Sequence, residues 1–161
     1  MSPKVTLLDG GLGQELIKRS SAPPHPLWAT QVMIDEPHLV SEIHRDFCDA
    51  GARVICLNTY AVSRHRLVTY APEKSLQEVL DAALAAADAG IASSPSASEV
   101  STVASLPPLN ASYDHTVPPD FDSAFSQYRE LISLQTTTFC SFLLVTMRTI
   151  AESTAVATAL P

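Results

Sequence analysis

Short apolar runs alternate along this chain with longer stretches in which apolar residues recur every three or four positions. The short runs predict four strands, at Lys4–Leu8, Arg53–Leu57, Val100–Ala104 and Phe142–Val145. The longer stretches predict four helices, at Glu36–Ala50, at Lys74–Ala92, from Phe121 onward and from Thr149 onward. Because strands and helices alternate, we expect an α/β fold whose strands form a parallel sheet with right-handed crossovers.

The first long helix carries the end signals that capping chemistry requires. Asp35 is expected at its N-cap and Pro37 in its first turn, and Gly51 follows its last turn. The buried stripe of this helix is predicted to consist of Leu39, Ile43 and Phe47.

Other polar residues are most simply explained by the helices that contain them. Asp120 and Asp122 open the third helix, where acidic side chains favour the helix dipole. Thr149-x-x-Glu152 is a capping-box pattern at the start of the fourth. His44 lies on the first long helix, where a surface or packing role is favoured over catalysis.

A carboxylate and two glycines, Asp9, Gly10 and Gly11, end the first predicted strand. Glycine lets a ligand approach the backbone closely, so this stretch can hold a polar ligand. Taken alone, it is better explained as an Asp-Gly turn. A dinucleotide-binding loop is set aside, because Leu16 stands where the third glycine after Gly11-x-Gly13 is required.

A second group of polar residues, Asn58, Thr59 and Tyr60, follows the second predicted strand. The loops after strands are long and polar, whereas a loop before a strand, such as Asp49–Ala52, is short. That asymmetry is typical of a (β/α) barrel with function at the carboxyl ends of its strands. Cys56 shares a strand face with Asn58 and Tyr60, two positions deeper, and is expected mainly as a small core residue.

Composition narrows the class of protein. With 161 residues, 46% hydrophobic and 17% charged, the chain is expected to form one globular domain over residues 1–161. A net charge of −7 argues against nucleic acid and anionic membranes as partners. The chain has no long apolar span or leader, and its three cysteines are widely spaced, so we expect a cytoplasmic protein.

Five co-linear motifs resemble those of the homocysteine S-methyltransferase family. They are LLDGG (Leu7–Gly11), LWAT (Leu27–Thr30), HRDFCDAGARVICLNTY (His44–Tyr60), SLPPLNASY (Ser105–Tyr113) and TMRTIAE (Thr146–Glu152). The resemblance implies a (β/α)8 barrel that transfers a methyl group from betaine, S-methylmethionine or a related donor to homocysteine, giving methionine. It also implies a zinc ion, held by cysteine thiolates, that activates the homocysteine thiol.

The resemblance assigns roles to residues at the ends of the first two strands. Asp9 matches an aspartate that helps to position homocysteine, and Gly10 and Gly11 would leave room for that substrate. Asn58, Thr59 and Tyr60 would line the same rim, with Tyr60 at the position of a pocket tyrosine. Trp28 is a candidate for the donor pocket, where aromatic rings can hold a cationic methyl donor, against the alternative of loop packing.

The chain departs from the family pattern in two places. The family's zinc cysteines lie in the second half of its barrel, and Cys48, Cys56 and Cys140 do not replace them, so we predict no metal site and no catalytic residue in this chain. The fourth strand runs into Val145-Thr146, where the family has a carboxylate before the threonine.

The length of the chain leads to two alternatives. A complete barrel takes about 250 residues, so a chain of 161 is expected to form about four βα units, or half a barrel. In one alternative it is a truncated methyltransferase that is inactive alone, with zinc supplied only in a full-length protein. In the other it is a non-catalytic half-barrel that binds a small molecule or associates with itself through its open edges.

Overall fold

A computed structural model describes residues 5–110, 112, 119–136 and 141–161. The described helices are α1 (Leu12–Arg19), α2 (Ala29–Asp35), α3 (Pro37–Asp49), α4 (Arg64–Tyr70), α5 (Leu76–Ala92), α6 (Phe121–Gln135) and α7 (Ile150–Ala159). The described strands are β1 (Val54–Cys56), β2 (Ser101–Leu106) and β3 (Phe142–Leu144), and a short 3-10 helix covers Ala97–Glu99. The predicted alternation of strands and helices is therefore confirmed from β1 onward.

The sheet is parallel, and each strand lies beside the one before it in the chain. Its order is β1-β2-β3, with Val54 opposite Ser101 and Ala104 opposite Phe142. Parallel strands bring their carboxyl ends to one edge of the sheet, and the loops that follow β1, β2 and β3 therefore meet there.

The predicted buried strand at Lys4–Leu8 is wrong in extent and in burial. Only Leu8 pairs with β1, as an isolated parallel bridge to Val54, and Lys4 lies outside the described residues. The Asp9 carboxylate accepts a hydrogen bond from the backbone N–H of Cys56 (2.9 Å). In a longer β-ladder this N–H would donate to a backbone carbonyl of the neighbouring strand. Val5, Leu7 and Leu8 are 86%, 55% and 45% exposed, because among the described residues no further strand covers this edge.

Helix α5 shows the strongest local agreement between sequence and structure. Ser75 accepts a hydrogen bond from the backbone N–H of Glu78 (3.2 Å), and the Glu78 carboxylate accepts one from the Ser75 N–H (2.8 Å). This complete capping box begins the helix two residues later than predicted.

Helix α3 packs against α5 so closely that the contact requires a glycine. A Cβ on Gly90 would lie 2.4 Å from the Ser41 carbonyl oxygen and 2.8 Å from the Cβ of His44. The His44 side chain is fully buried in this contact, so of its two predicted roles the structure shows packing. Burial lowers the pKa of His44 to about 4, and neither ring nitrogen has a hydrogen-bond partner among the described residues.

Two expectations about α3 are corrected. Its N-cap position is Glu36, not Asp35, because Asp35 still belongs to the preceding helix and accepts a hydrogen bond from Gln31 (2.9 Å). Of the predicted stripe only Ile43 is buried, while Leu39 and Phe47 are partly buried at the edge of the core. The residues of α3 that are fully buried are Val40, Ile43, His44 and Cys48.

A buried carboxylate, Glu152, joins α7 to the middle of the chain. It accepts hydrogen bonds from the backbone N–H groups of Leu109 (2.9 Å) and Arg148 (3.0 Å) and from the Tyr128 hydroxyl (3.2 Å). Thr149 caps α7 by accepting from the Glu152 N–H (3.1 Å). Of the two hydrogen bonds of the predicted capping box, the one from the Glu152 N–H to the Thr149 hydroxyl is therefore present. The Glu152 carboxylate binds groups in the core instead of the Thr149 N–H.

Three described helices lie outside the four helices that the sequence predicted. They are α1, α2 and α4, with eight, seven and seven residues. All three lie in the first half of the chain, between the strand ends and the long helices. None of the described helices combines the length with the apolar composition that a membrane-spanning segment requires.

Candidate functional site

The loops at the carboxyl edge of the sheet enclose a cavity of about 740 Å³. Residues that directly follow the strands line this cavity. They are Asp9 after the bridge residue Leu8, Asn58 and Tyr60 after β1, and Val145 and Thr146 after β3. The floor also includes Cys56 and Ser105 from the strands themselves. The cavity therefore lies where parallel α/β proteins bind ligands.

Hydrogen bonds to β1 hold Asp9 at the floor of this cavity. Its backbone N–H donates to the Val54 carbonyl (2.9 Å), and its carboxylate accepts the backbone N–H of Cys56 (2.9 Å). Burial raises the pKa of the Asp9 carboxyl, while hydrogen bonds from the thiol and the backbone of Cys56 lower it. A half-buried carboxylate of this kind, which has no ion pair with a described residue, is suited to a cationic ligand.

The three glycines after Asp9 differ in what surrounds them. A Cβ on Gly10 would lie 2.9 Å from the Phe47 ring, and one on Gly13 would lie 2.4 Å from the Trp28 ring. A Cβ on Gly11 would meet nothing closer than 3.9 Å. Gly10 and Gly13 thus make room for aromatic side chains, while Gly11 is the glycine of the three that leaves open space at the cavity wall.

Two aromatic residues, Trp28 and Tyr60, form one wall of the cavity. Their rings meet edge to face, with centroids 6.0 Å apart and planes at 74°. The Tyr60 hydroxyl is hydrogen-bonded to Ser112 (2.5 Å) and Thr146 (3.0 Å), which fixes the ring between the loops after β2 and β3.

Backbone strain concentrates in this wall. Among the described residues other than glycine, Trp28 (φ 49°) and Thr146 (φ 50°) are the ones with positive φ, and both line the cavity. Such conformations cost on the order of 1–3 kcal/mol and cluster at binding and active sites. Both strained residues thus lie in the wall formed by Trp28, Tyr60 and Thr146, which makes this wall a candidate binding surface.

Asn58 and Thr59 have mainly structural contacts. The Asn58 amide donates to the Ala29 carbonyl (3.0 Å), next to Trp28, and the residue also lines the cavity. Thr59 is buried and does not line it, because its hydroxyl donates to the Ser105 carbonyl (2.7 Å) and accepts the Ser105 N–H (3.0 Å). Of the predicted site residues, the structure brings together Asp9, Gly10, Gly11, Trp28, Asn58 and Tyr60, and leaves Thr59 behind the wall.

The cysteines of the described residues do not fit a metal site. Burial, together with a hydrogen bond to Asp9, raises the pKa of Cys56 to about 12, so its thiol stays protonated at neutral pH. Cys48 lies in a separate apolar cluster with Ala52 and Ile55, and Cys140 lies outside the described residues. Within the described ranges, no group of three or more His, Cys, Asp or Glu side chains is placed to hold a metal ion.

The predicted site residues leave out several residues that line the cavity, among them Arg66 and Thr146. Arg66, in the first turn of α4, reaches it from a helix that was not predicted, and Thr146 lies beyond the predicted end of the fourth strand. A usable signal for α4 was present, because Ser63 caps it by accepting the Arg66 N–H (3.4 Å).

A parallel α/β sheet with a cavity at its carboxyl edge, an acidic floor and an aromatic wall is typical of α/β proteins that bind small molecules. The family model for homocysteine S-methyltransferase matches residues 6–160, and the chain belongs to that family.

Curated relatives match over shorter stretches. The chain is 37% identical to homocysteine S-methyltransferase 3 of Zea mays over 54 residues, which cover 34% of this chain and 16% of that protein. It is 33% identical to homocysteine S-methyltransferase 2 of Saccharomyces cerevisiae over 85 residues, covering 47% of this chain and 26% of that one. These matches thus involve a minor part of each relative's length.

The fold is similar to that of a solved family member. The metallated form of the homocysteine methyltransferase MmuM from Escherichia coli superposes with a TM-score of 0.83 at 18% identity. The superposition covers 98% of this chain and 59% of that one. The mixed α/β fold with a parallel sheet is thus similar to that of a homocysteine methyltransferase.

Proposed function

We propose that this chain binds homocysteine in the cavity at the carboxyl edge of its sheet, as part of a protein that methylates the homocysteine thiol. The observation that carries the proposal is the half-buried Asp9 carboxylate on the cavity floor, held by the backbone of β1 and free of any ion pair with a described residue. Family membership over residues 6–160 supports homocysteine as the ligand.

The predicted homocysteine-site residues each have a role in this proposal. Asp9 binds the ammonium group of homocysteine, Gly10 and Gly11 border the substrate, and Asn58 and Thr59 hold the rim in place. In the reaction, the homocysteine sulfur loses its proton and forms a bond to the methyl carbon. The bond from that carbon to the donor breaks, and its electron pair stays on the donor, so the products are methionine and the demethylated donor.

The aromatic wall has a separate role in the same proposal. Trp28 and Tyr60 line the donor end of the cavity, where their ring faces can attract an onium methyl group. The strained backbone of Trp28 fits a residue that is positioned for binding rather than for stability.

We further propose that this chain forms a single domain of about four βα units of a barrel and does not turn over alone. The chain spans 59% of the length of MmuM, and its described cysteines do not form a zinc site. The zinc of a complete family protein would therefore be held by residues other than those that the structure describes in this chain. Free thiols at Cys48 and Cys56 support a reducing, cytoplasmic location.

Calorimetric titration with L-homocysteine tests the binding proposal. Replacing Asp9 by Asn keeps an acceptor for the Cys56 N–H but removes the charge, and we expect about ten-fold weaker binding or more. The matched control is Asp46→Asn, which removes a carboxylate that pairs with Arg19 on the surface of α3. Equal binding by wild type and Asp9→Asn, or no binding by wild type, would contradict the proposal.

A second experiment tests the proposed lack of turnover. The purified chain is incubated with zinc, homocysteine and either S-methylmethionine or betaine, and methionine is measured by mass spectrometry. We expect none above background. Methionine formation at stoichiometric zinc would show that the chain is active alone.

A second candidate function, self-association through the open edges of the sheet, is favoured by exposed apolar side chains. Leu7 and Leu8 lie at one edge, 55% and 45% exposed, and Leu143 and Leu144 lie at the other, 36% and 37% exposed. Such edges are templates for pairing with a second copy. Sedimentation velocity over a range of concentrations should show a dimer or larger species that Leu144→Ser weakens. A monomer at all concentrations would rule this candidate out.

A further inference from the structure

Glu152 connects two loops that both reach the cavity, although its own side chain lies behind them. It is fully buried and is not among the residues that line the cavity. Its Oε1 accepts the N–H of Leu109, in the loop after β2 (2.9 Å). Its Oε2 accepts the N–H of Arg148, in the loop after β3 (3.0 Å). One side chain of α7 thus holds the two loops together from within the core.

The Tyr60 hydroxyl joins the same two loops at the cavity. It is hydrogen-bonded to Ser112 in the loop after β2 (2.5 Å) and to Thr146 in the loop after β3 (3.0 Å). Ser112 follows Leu109 by three positions. Thr146 precedes Arg148 by two. Because so few residues separate these contacts, the buried carboxylate also sets the spacing between the two partners of the Tyr60 hydroxyl.

The backbone of Thr146 shows why the loop after β3 needs this support. Its φ of 50° lies in the left-handed region, which a β-branched residue adopts only where surrounding contacts hold it. Before it, the Val145 N–H donates to a carbonyl of β2 (3.3 Å), and after it the Arg148 N–H donates to Glu152. Without the second contact, the loop can relax and carry the Thr146 hydroxyl away from Tyr60.

A carboxylate suits this position because it accepts hydrogen bonds at both oxygens. The Arg148 Nε lies 3.7 Å from Oε2, with the two side chains 2% and 0% exposed, so the negative charge is paired inside the core. In Glu152→Gln, the amide has one acceptor oxygen and one NH2 group, which cannot accept the second backbone N–H. This substitution therefore breaks the contact to one of the two loops, whichever way the amide is oriented.

We infer that Glu152 is a positioning residue of the cavity, because it holds the loops after β2 and β3 at the spacing that lets the Tyr60 hydroxyl bind both. The Tyr60 ring is thereby fixed edge to face against Trp28, with centroids 6.0 Å apart. This inference rests on the proposed function, which assigns ligand binding to the aromatic wall but no role to a residue behind it. Asp9 is independent of this support, since β1 holds its N–H and its carboxylate.

A double-mutant cycle between Glu152→Gln and Tyr60→Phe tests the inference. Tyr60→Phe removes the hydroxyl and keeps the ring. Tetramethylammonium chloride, an onium probe of the wall, is titrated while the emission of Trp28, the single tryptophan, is recorded. Each single variant should bind it about five-fold more weakly than wild type, the effect of about one hydrogen bond. The double variant should bind no more weakly than Tyr60→Phe, because the hydroxyl that Glu152 positions is already absent.

Val156→Ala is the matched control for a loss of stability. Val156 is fully buried on the same helix, α7, and has no polar group that could hold either loop, so this variant should bind tetramethylammonium like wild type. Glu152→Asp keeps both acceptor oxygens but withdraws them by one methylene. It replaces Glu152→Gln if circular dichroism shows that the latter is unfolded, and it should give the same non-additive pattern with Tyr60→Phe.

Calorimetric titration with L-homocysteine separates positioning of the wall from general damage to the cavity. Since Asp9 is held by β1, the homocysteine Kd of Glu152→Gln should stay within about two-fold of wild type. An equal loss of homocysteine and tetramethylammonium binding would show a purely structural role and overturn the inference.

The other outcomes keep this inference and the proposed function distinguishable. Equal weakening by Glu152→Gln and Val156→Ala, losses that add in the double variant, or no tetramethylammonium binding by wild type would each overturn the inference. In all three cases, homocysteine binding through Asp9 leaves the proposed function standing. If the cycle is non-additive while homocysteine does not bind to wild type, the positioning role of Glu152 stands and the proposed function is wrong.

Discussion

The buried imidazole of His44 makes the stability of this protein depend on pH. The side chain is fully buried between α3 and α5, and burial lowers its pKa from 6.5 to about 4. Above pH 6.5 the imidazole is neutral in the folded and unfolded states and contributes nothing to the pH dependence. Below 6.5 the unfolded chain binds a proton that the folded chain does not, so acid favours unfolding.

The size of this effect follows from the pKa difference. Each pH unit between 6.5 and the folded pKa of about 4 lowers the free energy of unfolding by roughly 1.4 kcal/mol. Acidification from pH 7.5 to pH 5 therefore costs about 2 kcal/mol from His44 alone. The loss levels off below pH 4, where the folded protein also binds the proton.

His44→Leu removes the titrating group and keeps a side chain of similar size in the tight contact with Gly90. Urea denaturation at pH 7.5, 6 and 5 measures the free energy of unfolding of both proteins. The difference between pH 7.5 and pH 5 should be smaller by about 2 kcal/mol in the variant, since all other titrating groups are common to both. An identical pH dependence would show that His44 does not titrate as its burial requires.

Two predictions concern other tight or buried contacts. Gly13→Ala places a methyl group 2.4 Å from the Trp28 ring, so we expect a loss of about 1–3 kcal/mol and a shifted tryptophan emission, whereas Gly11→Ala, with 3.9 Å of room, should leave the emission unchanged. Glu152→Gln breaks the buried ion pair between Glu152 and Arg148 (3.7 Å) and should cost about 3 kcal/mol or more in urea denaturation. Glu130→Gln, in an exposed pair with Arg64, should cost less than about 1 kcal/mol. Equal losses within either pair would refute the corresponding argument.

The long helices could be predicted from the sequence, because their apolar period and their capping residues lie close together along the chain. Helix α5 repeats its apolar residues with the helical period over 17 residues and has a capping box. Helix α6 begins at Phe121, and the side chain of its N-cap residue, Asp120, accepts the Ser123 N–H. In both cases the residues that specify the helix lie within one or two turns of each other. They can be recognised without knowing any tertiary contact.

The remaining parts depend on contacts between distant residues. Helices α1, α2 and α4 are two turns long, too short for a clear period, and packing against the rest of the molecule stabilises them. Likewise, Asp9 could be proposed as a site residue because it ends an apolar run. Arg66 could not, because its place in the cavity depends on how Ser63 and Pro26 hold it.

The contacts of Glu152 also set an order on folding during synthesis. The N–H of Leu109 is satisfied by a carboxylate 43 residues later in the chain, and the Tyr128 hydroxyl by the same group 24 residues later. Until the ribosome has released α7, the loop after β2 must keep these polar groups hydrated and cannot close over its apolar neighbours. We therefore expect the first βα segments to become compact early and the rim after β2 to close only after α7 has emerged.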